Sequence, residues 1–411
     1  MLNAIWLGFF LFGFMAALWQ WLSGRNPDVF NDIINATFSM SGLAVEIAIG
    51  LIGLMALWLG LFRIAEHAGL IRVLARWVTP LFRRLMPEVP AGHPAMGSIT
   101  MNMAANALGL DNAATPMGLK AMRDLQTLNP SRDTASNAQI LFLVLNTSSV
   151  TLLPVTVFLF RAQQGAADPA AVFLPILMAT SASTLVGLLA VAWVQRLNIF
   201  NWVVAAYLGG FALLMALLMT WIISLPPELL ADRSTRIGNL LLFSVIVLFL
   251  VAGIQRRLDC YSLFVEGAKQ GFGVALKIIP YLLAMLVAIG VFRASGSMDL
   301  LLGAIGQSVA ALGMNTAFVD ALPTALMKPL SGSGARAMLL ETMNTHGVDS
   351  FAALTAASIQ GSTETTFYVL AVYFGSVGIR RTRHAIGCGL AADLAGVTTA
   401  ILASYWFFYA A

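Results

Sequence analysis

Charge is scarce in this chain: 10% of its 411 residues are Asp, Glu, Lys or Arg, against about 25% in an ordinary soluble domain. That shortfall excludes a soluble globular protein. Cysteine is nearly absent, with Cys260 and Cys388 far apart in unrelated surroundings. Neither a disulfide framework nor a cysteine-based metal or redox motif can be built from them, and both read as small packing residues. The four histidines, His67, His93, His346 and His384, are scattered. No HExxH, GxSxG, P-loop or GxGxxG stands in the context its chemistry needs. The expectation is therefore no enzyme, no resident metal and no cofactor. Weak strand-type alternation argues against a β-barrel.

What is abundant is apolar sequence, 59% of the chain, with a mean hydropathy of +0.83. It comes in runs at 2–22, 43–62, 138–160, 171–195, 200–224, 237–254, 271–292, 351–375 and 385–409. About 20 residues of helix cross a bilayer core of about 30 Å, so an all-α polytopic membrane protein is expected. The first run has no basic leader and no small-residue cleavage site, and reads as a retained helix. The net charge of +4 sits in short loops. The positive-inside bias accounts for it without a nucleic-acid partner.

Two further stretches, 94–122 and 317–343, are rich in Gly, Ala, Ser, Asn and Pro and read as re-entrant hairpins. Each follows an amphipathic segment, 69–86 and 298–312. The ordering repeats along the chain. "GLFR" ending at Arg63 returns as "GVFR" ending at Arg293. "DNAATPMGLKAM" from Asp111 returns as "MKPLSGSGARAM" from Met327, and "STLVG" from Ser183 as "ADLAG" from Ala392. The halves run 1–197 and 237–411, with 198–236 holding a linker helix and loop. Each half has about four spans, so the linker helix makes the second repeat inverted. With the N-terminus inside, 15 of the 23 Lys and Arg residues fall in cytoplasmic loops, as the orientation rule requires. The expected site of the protein is a bacterial inner membrane, N-terminus cytoplasmic and C-terminus periplasmic.

Chemistry concentrates where apolar spans turn polar. Gln360, Gly361, Ser362, Thr363, Glu364 and Thr365 interrupt one span. Glycine and β-branched or hydroxyl residues weaken a helix there, and freed backbone at that depth must line a cavity or be buried in protein. A carboxylate in mid-membrane costs at least about 2.5 kcal/mol, so Glu364 is expected to bind a solute, a cation or a proton. Asn146, Thr147, Ser148 and Ser149 form the matching segment of the first half, with Val150 where the second has Glu364. Broken helices of this kind meet at the midplane in secondary transporters. Packing by interhelical hydrogen bonds is the alternative. From the hairpins, Asn106, Asp111, Asn112, Lys328, Ser331, Ser333 and Arg336 are candidate contacts. The Gly-Ser turn at 331–334 leads into a helix whose free N–H groups favour an anionic or carbonyl group, or serves simply to turn the chain. Glu46 and Asp393 join Glu364 as ion-coupling candidates.

The paired units, "NTSSVTLLP" in one half and "GSTETTFYVLAVYFG" in the other, resemble the fused form of the spore maturation A and B membrane proteins, which carry the nucleoside-recognition or Gate domain. The Gln-Gly-Ser-Thr-Glu stretch is also similar to a hairpin segment of concentrative nucleoside transporters, from which Val150 departs. The resemblance implies a solute pathway with Gate elements around a central site. Two functions are expected from different classes. One is a carrier or channel-like facilitator for a nucleoside-like, amino-acid-like or small anionic metabolite, with sodium or proton coupling and homo-oligomers both compatible. The other is a non-transporting scaffold for envelope or spore-cortex maturation.

Overall fold

The computed structural model describes residues 2–108, 111–148, 151–199 and 201–409, without the side chains of 2, 111–113, 227, 274, 275, 277 and 278. The described residues are helical and carry no strand; a lone bridge joins Thr134 and Arg381. The first series is α1 (Leu2–Leu22), α2 (Val29–Ala68), α3 (Leu70–Leu85), α4 (Pro94–Ala107), α5 (Asp111–Gln126), α6 (Asn137–Thr147), α7 (Val155–Gln163) and α8 (Phe173–Gln195). After α9 (Trp202–Ile223) come α10 (Pro227–Gln255), α11 (Cys260–Ala294), α12 (Ser297–Ala311), α13 (Leu322–Met327), α14 (Gly332–His346), α15 (Phe351–Ser362), α16 (Thr366–Gly375) and α17 (Ala385–Phe408). The order from α2 to α8 is matched, element for element, by α11 to α17.

Among the described residues, six helices are long and apolar enough to cross a membrane: α1, α2, α8, α9, α10 and α17. The end of α11 and α12, bent by 71° between them, pass the same test only when taken together, as a broken span or a re-entrant loop. The other two apolar runs, 138–160 and 351–375, are not continuous helices. Each is split, into α6 and α7 and into α15 and α16.

Three helices, α2, α10 and α11, begin ten or more residues before the apolar runs expected for them. The run at 43–62 is the second half of α2, whose 40 residues extend about 60 Å. Its polar start, with Asn31, Asp32 and Asn35 exposed, stays helical because Val29 and Ile33 are buried against Ala17 and Val291. The stretches expected as hairpins are helical pairs, α4 packed on α5 and α13 on α14. Between α2 and α4, α3 turns on Gly69, at φ 79°. It buries Ile71, Ala75, Phe82 and Leu85 and exposes Arg72, Arg76, Arg83 and Arg84, as an amphipathic helix should.

The two most extensive helix contacts pair equivalent elements, α2 with α11 and α8 with α17. Glycine permits the first of them. The bare faces of Gly267 and Gly271 lie directly against α2 backbone, at Leu59 and at Ala56. Small residues serve this way in membrane helix pairs.

Arg161, fully buried, clamps the loop after α7 to the loop before α15. Its guanidinium donates to the carbonyls of Pro169 at 3.2 Å, Val348 at 3.1 Å and Asp168 at 3.1 Å, and to Asp349 Oδ1 at 2.9 Å. Arg161→Leu strands these acceptors, and the expected loss is about 3 kcal/mol or more. Thermal unfolding in detergent measures it.

At the end of the first hairpin, burial pushes the Asp124 carboxyl up, but hydrogen bonds from Lys120 and Ser98 outweigh it and hold the group below its ordinary 3.8. A depressed carboxylate stabilises the fold above its ordinary pKa, and that contribution fades as the pH falls through the folded value. Asp124→Asn is therefore expected to flatten the fall in unfolding midpoint below pH 3.8, read from midpoints between pH 3 and 6.

Candidate functional site

The two helix breaks meet. Ser136 caps α6 with a reciprocal capping box to Gln139, and α6 ends at Thr147. Pro154, at the start of α7, cannot continue a backbone ladder. On the other side α15 ends at Ser362, with Thr363 and Thr365 in extended conformation before α16. The Glu364 N–H donates to the Thr147 carbonyl at 2.7 Å, so one freed carbonyl is satisfied by the opposite break. Thr184 on α8 donates its hydroxyl to the Ser148 carbonyl.

Each break is also tied to the hairpin of its own half. Leu152 N–H donates to Ala107 O at 3.1 Å, and Phe367 N–H to Pro329 O at 2.9 Å. The freed backbone groups thus find partners in protein, which is the condition for irregular chain at membrane depth.

Against this junction lies a cavity of about 730 Å³, within the usual size for a small-molecule site. From the first half Asn106, Ala114, Thr115 and Asn146 line it. From the second come Ser331, Gly332, Ser333, Arg336, Glu364 and Thr365, with Phe367, Tyr368 and Tyr373 of α16 and Tyr281 of α11. A chain of polar contacts stiffens one wall. Asn106 Nδ2 donates to Asn146 Oδ1 at 2.9 Å, and Tyr373 Oη to the same oxygen at 3.3 Å. Asn146 Nδ2 turns back to Phe142 O at 2.8 Å. The Tyr373 ring stacks on Phe142 at 5.7 Å.

Glu364 is half-buried on the cavity wall and, among the described residues, makes no ion pair. Nor does Arg336 among those residues, and its Nε has no hydrogen-bond partner. Ser331, through its hydroxyl, caps α14 at the Gly334 N–H, 3.0 Å away, so that helix start faces the cavity with Arg336 one turn in. The site holds a carboxylate, a guanidinium, two amides, hydroxyls and an aromatic wall. That set can grip a polar solute.

Of the residues the sequence singles out, Asn106, Asn146, Ser331, Ser333, Arg336, Glu364 and Thr365 share this cavity. Thr147, Ser148, Gln360, Ser362 and Thr363 are buried behind the breaks instead. Gly361 packs against Ile176. Lys328, expected at the solute, is 3% exposed and donates its Nζ to Gln360 O at 2.7 Å. Asp393 is buried behind the break, and Glu46 is exposed on α2 away from the cavity. Ser149 and the side chains of Asp111 and Asn112 lie outside the described residues. Tyr281, Tyr368 and Tyr373 escaped the sequence reading. For the last two a signal existed, aromatic residues within nine positions of the interrupting carboxylate.

A helical, multi-pass membrane protein with paired broken spans around a polar cavity is the class that this architecture defines. The chain matches the nucleoside recognition Gate family over residues 48–163 and 275–380, more than half its length, and it belongs to that family. Each matched segment contains one hairpin and one broken span. It is also 38% identical over 180 residues to spore maturation protein A of Bacillus subtilis (strain 168), covering 44% of this chain and 88% of that protein. To spore maturation protein B of the same organism it is 42% identical over 158 residues, covering 38% of this chain and 87% of that one.

Proposed function

We propose that the protein is a secondary carrier, or a channel-like facilitator, moving a small polar metabolite across a bacterial inner membrane. Its N-terminus lies in the cytoplasm and its C-terminus in the periplasm. One observation carries the reading: Glu364 sits on a helix break, in a cavity of about 730 Å³, with no basic partner among the described residues. A structural carboxylate at that depth would be paired; this one faces space that a solute can fill.

The lining narrows the solute. Tyr373, Tyr368 and Phe367 suit a planar ring, Glu364 an amino or hydroxyl group, and the start of α14 with Arg336 a carbonyl or an anion. A nucleoside-like compound engages all three. An amino-acid-like compound or a small organic anion engages the charged part. The doubled element order fits inverted repeats rocking about a fixed midplane site, with sodium or proton coupling and assembly into homo-oligomers.

The names of the relatives, spore maturation proteins A and B, favour a second reading, a non-transporting scaffold in spore or envelope maturation. A thermal-shift screen of the purified protein against nucleosides, amino acids and small organic acids separates the two, followed by uptake into proteoliposomes. A stabilising solute that accumulates supports the carrier. If none of those solutes shifts the midpoint and none crosses, the carrier reading fails.

A further inference from the structure

The neutral polar groups of the cavity wall are largely spent on one another. Asn146 Oδ1 accepts from both Asn106 Nδ2 and Tyr373 Oη, and Asn146 Nδ2 donates to Phe142 O. The Asn146 acceptor and the Tyr373 donor are therefore filled from within the protein. Ser331 Oγ is engaged as well, by the Gly334 N–H and by Ser333 Oγ at 3.2 Å. A neutral solute that sought any of these would break a protein hydrogen bond for each one it made.

What remains open is charge. Glu364 and Arg336 both line the cavity, and among the described residues neither makes an ion pair, with the other or with a third group; Arg336 Nε has no hydrogen-bond partner. They belong to neighbouring pieces of chain. A Cβ added at Gly332, the first residue of α14, would lie 3.0 Å from Thr365 Oγ1. The helix start that carries Arg336 one turn in thus abuts the residue next to Glu364.

Two opposite charges held apart in one cavity select on charge. Both residues are part exposed, so water reaches them while the cavity is open, and a solute that displaces this water must replace it. A neutral compound strips both ions and neutralises neither. An anion leaves Glu364 bare and a cation leaves Arg336 bare, and an ion buried without its partner is the costly case. A zwitterion answers both. Its ammonium pairs with Glu364, and its carboxylate accepts from the Arg336 fork and from the N–H groups opening α14. Phe367, Tyr368 and Val369 of α16 then suit a large ring on the same molecule.

We propose that the solute is an α-amino acid with an aromatic side chain, its ammonium on Glu364 and its carboxylate on Arg336 at the start of α14. The inference rests on the cavity being the carrier's solute site and deepens that reading by choosing among its solute classes. Unfolding midpoints of the purified full chain are titrated with phenylalanine, tyrosine and tryptophan. Beside them are tested the matching amines, which lack the carboxylate, and the matching propanoic acids, which lack the ammonium, with adenosine as a neutral ring compound. An amino acid of the three is expected to bind about tenfold or more tightly than its own amine and its own acid, the worth of one lost bond to a charged group. Glu364→Gln should remove the advantage over the acid, and Arg336→Gln the advantage over the amine. Glu46→Gln, exposed on α2, should leave both intact.

Amino acids bound no more tightly than their amines or acids overturn the proposal, as does an advantage that survives both substitutions. So does the absence of binding by all three amino acids; saturable binding of adenosine in their place would leave the carrier reading standing. Should Arg336→Gln not fold, competition against the radiolabelled amino acid on the wild-type chain decides the matter. Displacement by the amine or the acid at the amino acid's own concentration counts against the site. Binding in the expected pattern without uptake into proteoliposomes would leave the zwitterion site standing and fell the carrier instead.

Discussion

Glu364→Gln is expected to weaken binding of the solute roughly 10- to 100-fold, the worth of a hydrogen bond to a charged group at about 1.5–3 kcal/mol. The unfolding midpoint of the solute-free protein should hardly change. The two halves of that expectation come from different atoms. The side chain lines the cavity with no ionic partner among the described residues, so neutralising it leaves no opposite charge stranded. The backbone N–H, which bonds Thr147 O at 2.7 Å, is common to glutamate and glutamine. The junction of the two breaks therefore survives the change while the solute loses its strongest acceptor. Titration of a solute found by the thermal-shift screen, followed by its uptake into proteoliposomes, measures both. If affinity, uptake and pH dependence all match the wild type, Glu364 has no part in the mechanism.

How far this site could be read in advance depended on which physical signal each residue left. The breaks were legible because Gly361 and its hydroxyl neighbours are poor helix formers inside an otherwise apolar run, and the interruption at 363–365 lies among them. The turn between α13 and α14 was legible from Pro329 and the Gly-Ser sequence, whereas Pro116 lies inside α5 and marks no turn. Side-chain direction was not legible. Lys328 and Ser333 belong to the same polar stretch, yet one is buried under Gln360 and the other lines the cavity. Sequence spacing does not say which side of a broken helix faces the opening.

The position of Glu46, exposed and off the cavity wall, was hidden for a related reason. Hydropathy counts it as intramembrane, whereas its burial depends on how α2 is rotated against α11. Helix ends were blurred as well. A window of apolar residues cannot register that Val29 and Ile33, at the polar start of α2, find buried partners on α1 and α11. The aromatic wall was hidden because Tyr281 comes from a distant span. Its presence there is a product of how α11 packs on α2, and no local pattern announces it.

That packing sets the other large effect. Gly271→Val is expected to lower the unfolding midpoint severely or to prevent isolation of folded protein, while Gly273→Val, two residues on, should be close to neutral. Both exchanges trade glycine for the same β-branched residue in the same helix, so intrinsic propensity cancels between them. Surroundings do not cancel. A Cβ at Gly271 would come within 2.6 Å of Ala56 N and Cα and 3.0 Å of Met55 C, whereas at Gly273 it meets nothing within 4 Å. Side chains can swing away from an added methyl, but the backbone of a 40-residue helix moves only as a unit. Valine at 271 must therefore push α2 and α11 apart along the larger of the two interfaces between equivalent helices. Overpacking ordinarily costs about 1–3 kcal/mol, occasionally more, and a clash with backbone belongs at or beyond the top of that range. The displacement would also carry Tyr281, ten residues further along α11, away from the cavity wall. Any Gly271→Val protein that does fold should then bind solute more weakly than Gly273→Val. Matching midpoints for the two variants would mean that α2 and α11 do not approach as closely as described here, and the cavity geometry that depends on them would fall with that contact.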